Sequence, residues 1–386
     1  MHCYAWFNFG QRGRLCITKM ELHEILQLAK RNNKKLLVIL GDGIDPGFEL
    51  RRPLLTEVKD EKEHYRGHLR EKDRENWPYF ETIRNLTRNV LPLPSYFFMF
   101  VLARLNLLQA IITTNYDMTL DAIFCLLRKN LPVPVVFNPI LGAGEEDYSE
   151  YSHQKSSSSD IRIWKIHGSL GHIICRKCKT ILRCPDFILP FDVEQITAKF
   201  MHPISHIYLP GKATCCPISV KPENIRESLC GHYVHPVDWN MPHFSQYPMF
   251  KQIIDGGLNE FKKNPFGIII IGFKGFLPPS RRGNHEEINI ALEHLVGKSI
   301  RWAMLVSREQ YKKIEKNAAD AHLWELVGRN NGSRFSGESD EIADKLMLSL
   351  DLSGLITRRE CNNLFQRTFE PMFVPRKFYK RFTYKR

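Results

Sequence analysis

The stretch "LLVILGDG" (36–43) decides the fold, because five aliphatic residues in succession run into a glycine, an aspartate and a second glycine. A continuous apolar run is typical of a strand buried on both faces of a sheet, and Gly-x-Gly then predicts a sharp turn. Further strands are predicted in "AIITT" (110–114), "IRIWKI" (161–166), "GIIIIG" (267–272) and "RWAMLVS" (301–307). They alternate with helical patterns, so the predicted fold class is α/β: a Rossmann-like parallel sheet covered by helices, with a small cysteine-containing inserted module.

The helical patterns begin ahead of the first strand. Thr18 and Glu21 have the spacing of a capping box, which predicts a helix over residues 18–32. Its apolar side chains are numerous enough to bury against the core or against another subunit. Further helices are predicted at 78–90, 95–108, 118–130, 247–262 and 285–296.

Composition divides the chain into four parts. Residues 171–245 hold six cysteines and no long periodic segment, which favours a small inserted module. Residues 143–160 are acidic and then serine-rich, which indicates a surface loop. The predicted parts are an N-terminal helical extension (1–35), a Rossmann domain (36–170 and 246–310), the inserted module (171–245), and C-terminal helices with a basic tail (311–386).

Charge and cysteine content narrow the choice of binding partners and of cellular compartment. The formal net charge of +13 favours anionic partners, and nucleotides, nucleic acid and acidic protein surfaces all fit it. The opening residues lack the apolar core of a secretory signal, and no apolar run is long enough to span a bilayer. Ten cysteines then indicate reduced thiols rather than a disulfide framework. We therefore expect a cytoplasmic protein without a membrane partner.

Polar or glycine-rich turns follow four of the predicted strands. They are "GDG" (41–43), "TTNYD" (113–117), "KIHG" (165–168) and "IGFKG" (271–275). The carboxyl ends of parallel strands share one edge of the sheet, and ligands of α/β proteins bind beyond that edge. The four turns therefore predict a single site.

These segments, in this order, resemble the motifs of sirtuins. That family carries a Gly-Ala-Gly-Ile-Ser turn, a Thr-Gln-Asn-Ile-Asp segment, a His-Gly, a zinc Cys-x-x-Cys and a Gly-Thr-Ser turn. The spacing from His167 to Cys175 also matches, and the resemblance spans residues 36–310. "TTNYD" and "KIHG" are more similar to a divergent bacterial group whose members hydrolyse NAD in antiviral defence, often beside a HerA-type ATPase.

The resemblance implies NAD as substrate and assigns roles to the turns. The residues implied at the reaction centre are Asn115, His167 and Asp117. Those implied to hold the dinucleotide are Gly41, Asp42, Gly43, Thr114, Gly272, Lys274 and Gly275. The chemistry suits them: glycines admit a pyrophosphate, an amide both donates and accepts hydrogen bonds, and histidine takes up a proton near neutral pH.

The chain departs from the family pattern at several positions. Asp45 stands where the family has serine, and "PGFELRRP" (46–53) replaces an Asp-Phe-Arg, which leaves Arg51 or Arg52 as candidate anion contacts. Lys274 replaces a small hydroxylated residue, and contact with a phosphate and exposure to solvent both remain open. Each motif alone also has a structural interpretation: the Gly-x-Gly as a sharp connection, "TTNYD" as an Asx turn, and His167 as a structural histidine.

The cysteines of the inserted module suggest a structural zinc site. Cys175 and Cys178 have the spacing of a zinc knuckle, and four protein ligands would leave no open position for chemistry. A degenerate module with free thiols is the alternative. The expected ligands are Cys175, Cys178, Cys216 (or its neighbour Cys215) and Cys230, with Cys184 and His232 nearby in the sequence.

Three functions compete for this pattern. The leading one is an NAD hydrolase that forms nicotinamide and ADP-ribose as an effector of bacterial antiphage defence. The second is an NAD-dependent protein deacylase, but its peptide-pairing segment after the zinc module has only "PVDWNMPHF" (236–244) as a counterpart. The third is a non-catalytic NAD-binding or nucleic-acid-binding subunit of an ATPase complex.

The C-terminal end of the sequence is a candidate segment for binding a partner. "VPRKFYKRFTYKR" (374–386) interleaves cations with aromatic side chains, which suits both a docking tail for an acidic partner and a nucleic-acid contact. The resemblance implies a HerA-type ATPase or helicase as the partner. We also expect a homo-oligomer, with nucleic acid reached through the partner or through this tail.

Overall fold

The computed structural model describes residues 20–41, 94–115, 120, 124, 130–133, 135–137, 160–166, 168–175, 181–183, 234–238, 248–273, 291–295, 298–316 and 318–368. Its strands are β1 (Leu36–Leu40), β2 (Leu108–Thr113), β3 (Val135–Phe137), β4 (Ile161–Lys165), β5 (Gly168–Cys175), β6 (Ile181–Arg183), β7 (Val234–Asp238), β8 (Gly267–Ile271), β9 (Arg301–Ser307) and β10 (Ser333–Gly337). Its helices are α1 (Leu22–Arg31), α2 (Pro94–Arg104), α3 (Pro248–Lys262), α4 (Arg308–Lys316), α5 (Ala318–Arg329), α6 (Ser339–Leu352) and α7 (Arg358–Thr368). In this part of the chain, none of the helices is both long and apolar enough to cross a membrane.

The main sheet has seven strands in the order β10-β9-β8-β1-β2-β4-β3, and every neighbouring pair is parallel. From β1 the chain continues to β2 on one side, whereas β8 takes the other side of β1. The direction of winding therefore reverses at β1 and β8. Such a reversal opens a crevice at the carboxyl ends of the two strands. The predicted Rossmann-like parallel sheet is confirmed.

Helices cover both faces of this sheet. All five residues of β1 are buried, as are all five of β8, which agrees with their continuous apolar sequences. On one face, alternate strand residues such as Val38, Ile111 and Ile269 join the buried side chains of α1, α2 and α6 in one core. On the other face, α3 packs on β4, and α4 and α5 pack on β9 and β10.

Helix α3 is anchored on β4 by a buried carboxylate. Glu260 is 1% exposed and accepts hydrogen bonds from Lys263 Nζ at 2.8 Å and from Trp164 Nε1 at 3.3 Å. Gln109 Nε2 of β2 donates to the same carboxylate at 3.2 Å. Gly256 brings α3 close to the sheet, because a Cβ atom there would overlap the Trp164 ring. The helix therefore fixes β4, the strand that leads to the histidine motif.

The turns between helices and following strands repeat one feature. Asn33, Asn106, Asn264 and Asn331 have φ between +48° and +57°, and each comes between a helix and a strand of the main sheet. At Asn106 the amide donates to Ala103 O at 3.0 Å, and the next amide donates to Leu102 O at 2.8 Å. This pair of bonds is a Schellman ending with asparagine in the left-handed position.

A second, smaller sheet is antiparallel, with β5 between β6 and β7. Strand β5 begins at Gly168, directly after the histidine motif, and ends at Cys175. The small sheet thus starts at the edge of the main sheet where the predicted site lies. The cysteines expected at positions 178, 216 and 230 lie outside the described residues.

Several sequence-based expectations change. Helix α1 begins at Leu22 rather than after Thr18, and its capping pair is Glu21 with Glu24. Its buried residues belong to the main core, which is one of the two predicted alternatives, the core or another subunit. Helices alone were expected after residue 310, but β10 adds an edge strand there. Its sequence "SRFSG" has no apolar run, because an edge strand is only partly buried.

Other predicted elements lie wholly or largely outside the described residues. They are the helices at 78–90 and 118–130, the loop at 143–160, and most of the helix at 285–296, of which residues 291–293 are described as helical.

The Schellman endings predict a stability effect at an exposed position. Asn106→Ala should lower the free energy of unfolding by about 1 kcal/mol, because alanine tolerates the left-handed conformation less well than asparagine. Asn106→Gly should be neutral or slightly stabilising. Urea denaturation followed by circular dichroism measures both variants, and equal stabilities for alanine and glycine would contradict the role of this ending.

Candidate active site at the carboxyl edge of the sheet

Two glycines bring the ends of β1 and β8 into contact. Gly41 N donates to Ile271 O at 2.9 Å, and Gly272 N donates to Leu305 O at 2.8 Å, so the ladder continues past both strands. A Cβ atom on Gly41 would lie 2.5 Å from Gly272 O. Gly272 has φ +64°, a left-handed conformation that favours glycine. The first and fourth predicted turns therefore meet backbone to backbone in the crevice.

The Gly272 carbonyl is held from the neighbouring helix. Gln310 Nε2 donates to Gly272 O at 2.9 Å. The same residue caps α4, since its backbone N donates to Ser307 Oγ at 3.1 Å and its Oε1 accepts from Ser307 N at 3.3 Å. This is a capping box of the Ser-x-x-Gln type. The N-terminus of α4 and the glycine turn are thus one hydrogen-bonded unit, and Gln310 was missed because its local pattern indicates only a helix start.

The second predicted turn lies next to β1. Thr114 N donates to Leu40 O at 3.1 Å, and Asn115 N donates to the Thr113 hydroxyl at 3.0 Å, which closes a tight turn. Asn115 is half-buried, and its Oδ1 atom is buried without a hydrogen-bond partner among the described residues. Buried polar atoms are nearly always paired, so this amide oxygen is available to a donor that the described residues do not supply.

A buried lysine stands beside this turn. Lys165, the last residue of β4, lies opposite Thr113 in the register and is 1% exposed. Ile166 N donates to Thr113 O at 3.0 Å and continues the pairing up to the position before His167. A buried ammonium is costly unless it is compensated, and Lys165 does have an interaction partner. Sequence analysis did not single out Lys165 because it belongs to a predicted strand.

The structure brings four of the predicted residues to one edge of the sheet: Gly41, Thr114, Asn115 and Gly272. The other predicted residues of these turns lie outside the described part of the chain: Asp42, Gly43, Asp117, His167, Lys274 and Gly275. Phe273, which follows the left-handed glycine, is 6% exposed. The described part of the site is therefore a buried backbone crevice with the Asn115 amide on one side.

The predicted metal ligands are not brought together in the described residues. Cys175 is the last residue of β5, and the other three expected ligands lie outside that part of the chain. Within the described ranges, no group of three or more His, Cys, Asp or Glu side chains could hold a metal ion.

The chain is similar to several solved structures at low identity. A Sir2 homologue in complex with NAD is 15% identical, with a TM-score of 0.40, over 85% of this chain and 93% of its own. A Sir2 homologue mutant with ADP-ribose is 14% identical, with a TM-score of 0.41, over 87% and 97% of the two chains. A Sir2 protein with a propionylated peptide is 12% identical, with a TM-score of 0.38, over 86% and 100%. No protein-family model and no curated protein sequence matches the chain.

The contact between the two glycines predicts that a side chain at position 41 destabilises the protein. Gly41→Ala should lower the free energy of unfolding by about 1–3 kcal/mol, because the added Cβ atom meets backbone atoms that cannot rotate away. Gly257→Ala is the matched control, since a Cβ there would lie 3.8 Å from its nearest neighbour, Ile166 Cγ2. As a helical position, 257 should gain about 0.5–1 kcal/mol. Urea titration measures the free energy of unfolding of both variants. A Gly41→Ala protein as stable as the wild type would contradict the contact between the two glycines.

Proposed function

We propose that the chain is an NAD hydrolase that releases nicotinamide and ADP-ribose. The observation that carries this proposal is the buried Oδ1 atom of Asn115, which has no hydrogen-bond partner in the described part of the chain and lies beside the backbone crevice of Gly41 and Gly272. A crevice of this kind suits a dinucleotide, and the amide oxygen suits a ligand that donates hydrogen bonds. The nicotinamide carboxamide and the ribose hydroxyls of NAD are such donors.

The binding roles follow the order of the turns. Gly41, Asp42 and Gly43 would receive the pyrophosphate, because glycine turns allow backbone amides to approach phosphate oxygens. Gly272, Lys274 and Gly275 would hold the dinucleotide from the β8 side, and Thr114 from the β2 side. Asn115 and Asp117 would surround the nicotinamide ribose and its carboxamide. Lys165 would add positive charge near this end of the crevice.

The proposed chemistry needs a base more than a strong acid. The bond between the ribose C1′ atom and the nicotinamide nitrogen breaks, and its electron pair neutralises the pyridinium ring. The sugar gains oxocarbenium character, which Asn115 and Asp117 would orient and stabilise. Water then adds to C1′, and His167 would take the proton that the water loses. The products are nicotinamide, ADP-ribose and one proton.

Nicotinamide release with and without an acetylated peptide separates hydrolysis from deacylation. For a hydrolase, we expect nicotinamide and ADP-ribose in equal amounts at the same rate under both conditions. Release that requires the peptide, with transfer of its acetyl group to ADP-ribose, would overturn the proposal in favour of a deacylase. NAD binding without release would assign a non-catalytic subunit.

Single substitutions test the reaction centre. Asn115→Ala and His167→Ala should each lower nicotinamide release by about 10²-fold or more, and the double variant should be little worse than either, because residues that act as a unit fail together. The control variants are Asn363→Ala and His322→Ala, which change exposed residues of α7 and α5. Near-normal release by the folded His167→Ala protein would remove this histidine from the centre.

A structural zinc ion held by the small module is a second proposal. Cys175, Cys178, Cys216 and Cys230 would provide four thiolates around the metal. Purified protein should contain about one zinc per chain, and Cys178→Ser should lower that content while Cys361→Ser, a buried residue of α7, should not. Elemental analysis that finds no zinc in the wild-type protein would leave the module with free thiols.

The setting of the activity is also proposed. By its resemblance to the divergent bacterial group, the chain would act in the cytoplasm as an effector of antiphage defence by NAD depletion. A free-running NAD hydrolase would be toxic, so control by a HerA-type ATPase partner and by homo-oligomer formation fits the proposed reaction. Helix α1 is committed to the core, which leaves the basic aromatic tail as the sequence candidate for docking.

A further inference from the structure

The amino-terminal edge of the main sheet, opposite the proposed NAD site, is lined with cations. Helices that lead into the strands end there, and so do the turns that connect them. The exposed cations at this edge are Lys30, Arg31, Lys34, Arg104, Lys262, Lys263, Lys298 and Arg329. Lys35, Arg162 and Arg301 are half-buried between them. These eleven residues and the turns that carry them form the amino edge.

The acids at the amino edge do not balance this charge. Among the described residues, Asp160 is 5% exposed and Glu260 is 1% exposed, so neither carboxylate faces solvent. Asp351 accepts a hydrogen bond from Arg358 N, and Glu360 caps the start of α7 through Thr357. The eleven cations outnumber these four carboxylates, so the described part of this edge has a net positive charge.

Helix dipoles explain only part of this pattern. A cation in the last turn of a helix is favoured by the partial negative charge there, which accounts for residues such as Lys30 and Arg104. Lys34, Lys35, Lys263 and Lys298 lie beyond the last helical residue, where that effect has faded. Lys263 is paired with the buried Glu260 carboxylate, so its charge has a structural role. The other loop cations are not required by the dipoles of these helices.

The central part of the amino edge is continuous. Phe266 N donates to Lys35 O at 3.1 Å, and Arg301 N donates to Phe266 O at 3.3 Å. The Arg301 guanidinium carbon lies 4.0 Å from the centroid of the Phe266 ring. Burial lowers the pKa of Lys35, Asp160 opposes this, and Arg162 adds to it. A phosphate at this edge would act in the same direction as Asp160.

We propose that the amino edge binds the phosphate backbone of double-stranded nucleic acid. Strands lie about 4.8 Å apart, so the six strands from β4 to β10 spread the cations over roughly 24 Å, enough to cover the width of a duplex. Exposed amides of Asn33, Asn106 and Asn264 alternate with the cations and can donate to phosphate and sugar oxygens. This surface is separate from the NAD site, so the proposal stands or falls independently of NAD hydrolysis.

The composition of the surface favours nucleic acid over an acidic protein. Protein interfaces bury an apolar or aromatic centre, whereas backbone binding to a duplex is largely cationic and polar. Within the described residues, the exposed large hydrophobic side chains are Leu348 and Leu352 of α6. Leu352 is at the end of α6 that reaches this edge, beside Asp351, but a single exposed leucine does not form an apolar centre. The amino edge thus has the charge for a phosphate backbone without the apolar centre of a protein interface.

The test is fluorescence anisotropy of the full chain with a labelled 20-base-pair DNA duplex and a matching RNA duplex at several salt concentrations. Contacts to about five phosphates give a slope near −4 to −5 in log K against log salt for DNA. Lys34→Glu with Lys298→Glu should weaken binding by at least about tenfold and reduce the slope by about 2. Lys312→Glu with Lys316→Glu makes the same charge change on α4 and should leave the affinity within about twofold.

Each outcome of this experiment either supports or overturns binding of nucleic acid at the amino edge. Preference for either duplex, with selective loss in the amino-edge variant, supports the proposal and identifies the nucleic acid. Wild-type binding by the amino-edge variant would overturn it and leave the C-terminal tail as the contact. Equal losses in both double variants would mean that net charge alone acts, which also overturns it. Tighter binding of polyglutamate than of either duplex would assign the surface to an acidic protein.

Discussion

The backbone contact between Gly41 and Gly272 is the constraint on which the described site depends. It joins β1 to β8 at the point where the winding of the sheet reverses, so the crevice there has a fixed width. A side chain at position 41 would occupy the place of the Gly272 carbonyl oxygen. Gln310 holds that oxygen from α4, and the Thr114–Asn115 turn is hydrogen-bonded to the end of β1. The glycine turn, the asparagine turn and a helix N-terminus thus form one rigid edge.

The sequence predicted this edge better than it predicted the rest of the fold. Strands β1, β8 and β9 are buried on both faces, and burial demands the continuous apolar runs that reveal them. Strand β2 was revealed by the apolar part of its sequence and β4 by alternation of apolar and polar residues. Strand β10 escaped because an edge strand needs no such run. The short β3 has only three residues and gives no period to recognise.

Some residues of the site could be predicted from local sequence and others could not. Gly41, Thr114, Asn115 and Gly272 were predictable because glycine and asparagine mark turns at strand ends. Gln310 and Lys165 were not, since their roles depend on residues far away in the chain. Gln310 reaches a carbonyl 38 positions earlier, and Lys165 acquires its place only through pairing of β4 with β2. Contacts of this kind leave no local pattern.

The two edges of the sheet have different chemistry, and the account assigns them different ligands. The carboxyl edge holds the backbone crevice and an amide oxygen without a partner among the described residues, which suit a nucleotide. The amino edge holds exposed cations anchored beside two buried carboxylates, which suit a long polyanion. Both ligands are anionic, so net charge cannot tell them apart, but the placement of glycines and cations in the fold can.

The most direct test of the central claim is backbone hydrogen exchange with and without saturating ADP-ribose, the proposed product that keeps both phosphates and both riboses. The account predicts slower exchange in the peptides that contain Gly41, Thr114–Asn115 and Gly272–Phe273. It predicts no change in peptides that contain Lys34 or Lys298. Protection at the amino edge alone, or unchanged exchange at all three turns while ADP-ribose is bound, would contradict the assignment of the crevice as the nucleotide site.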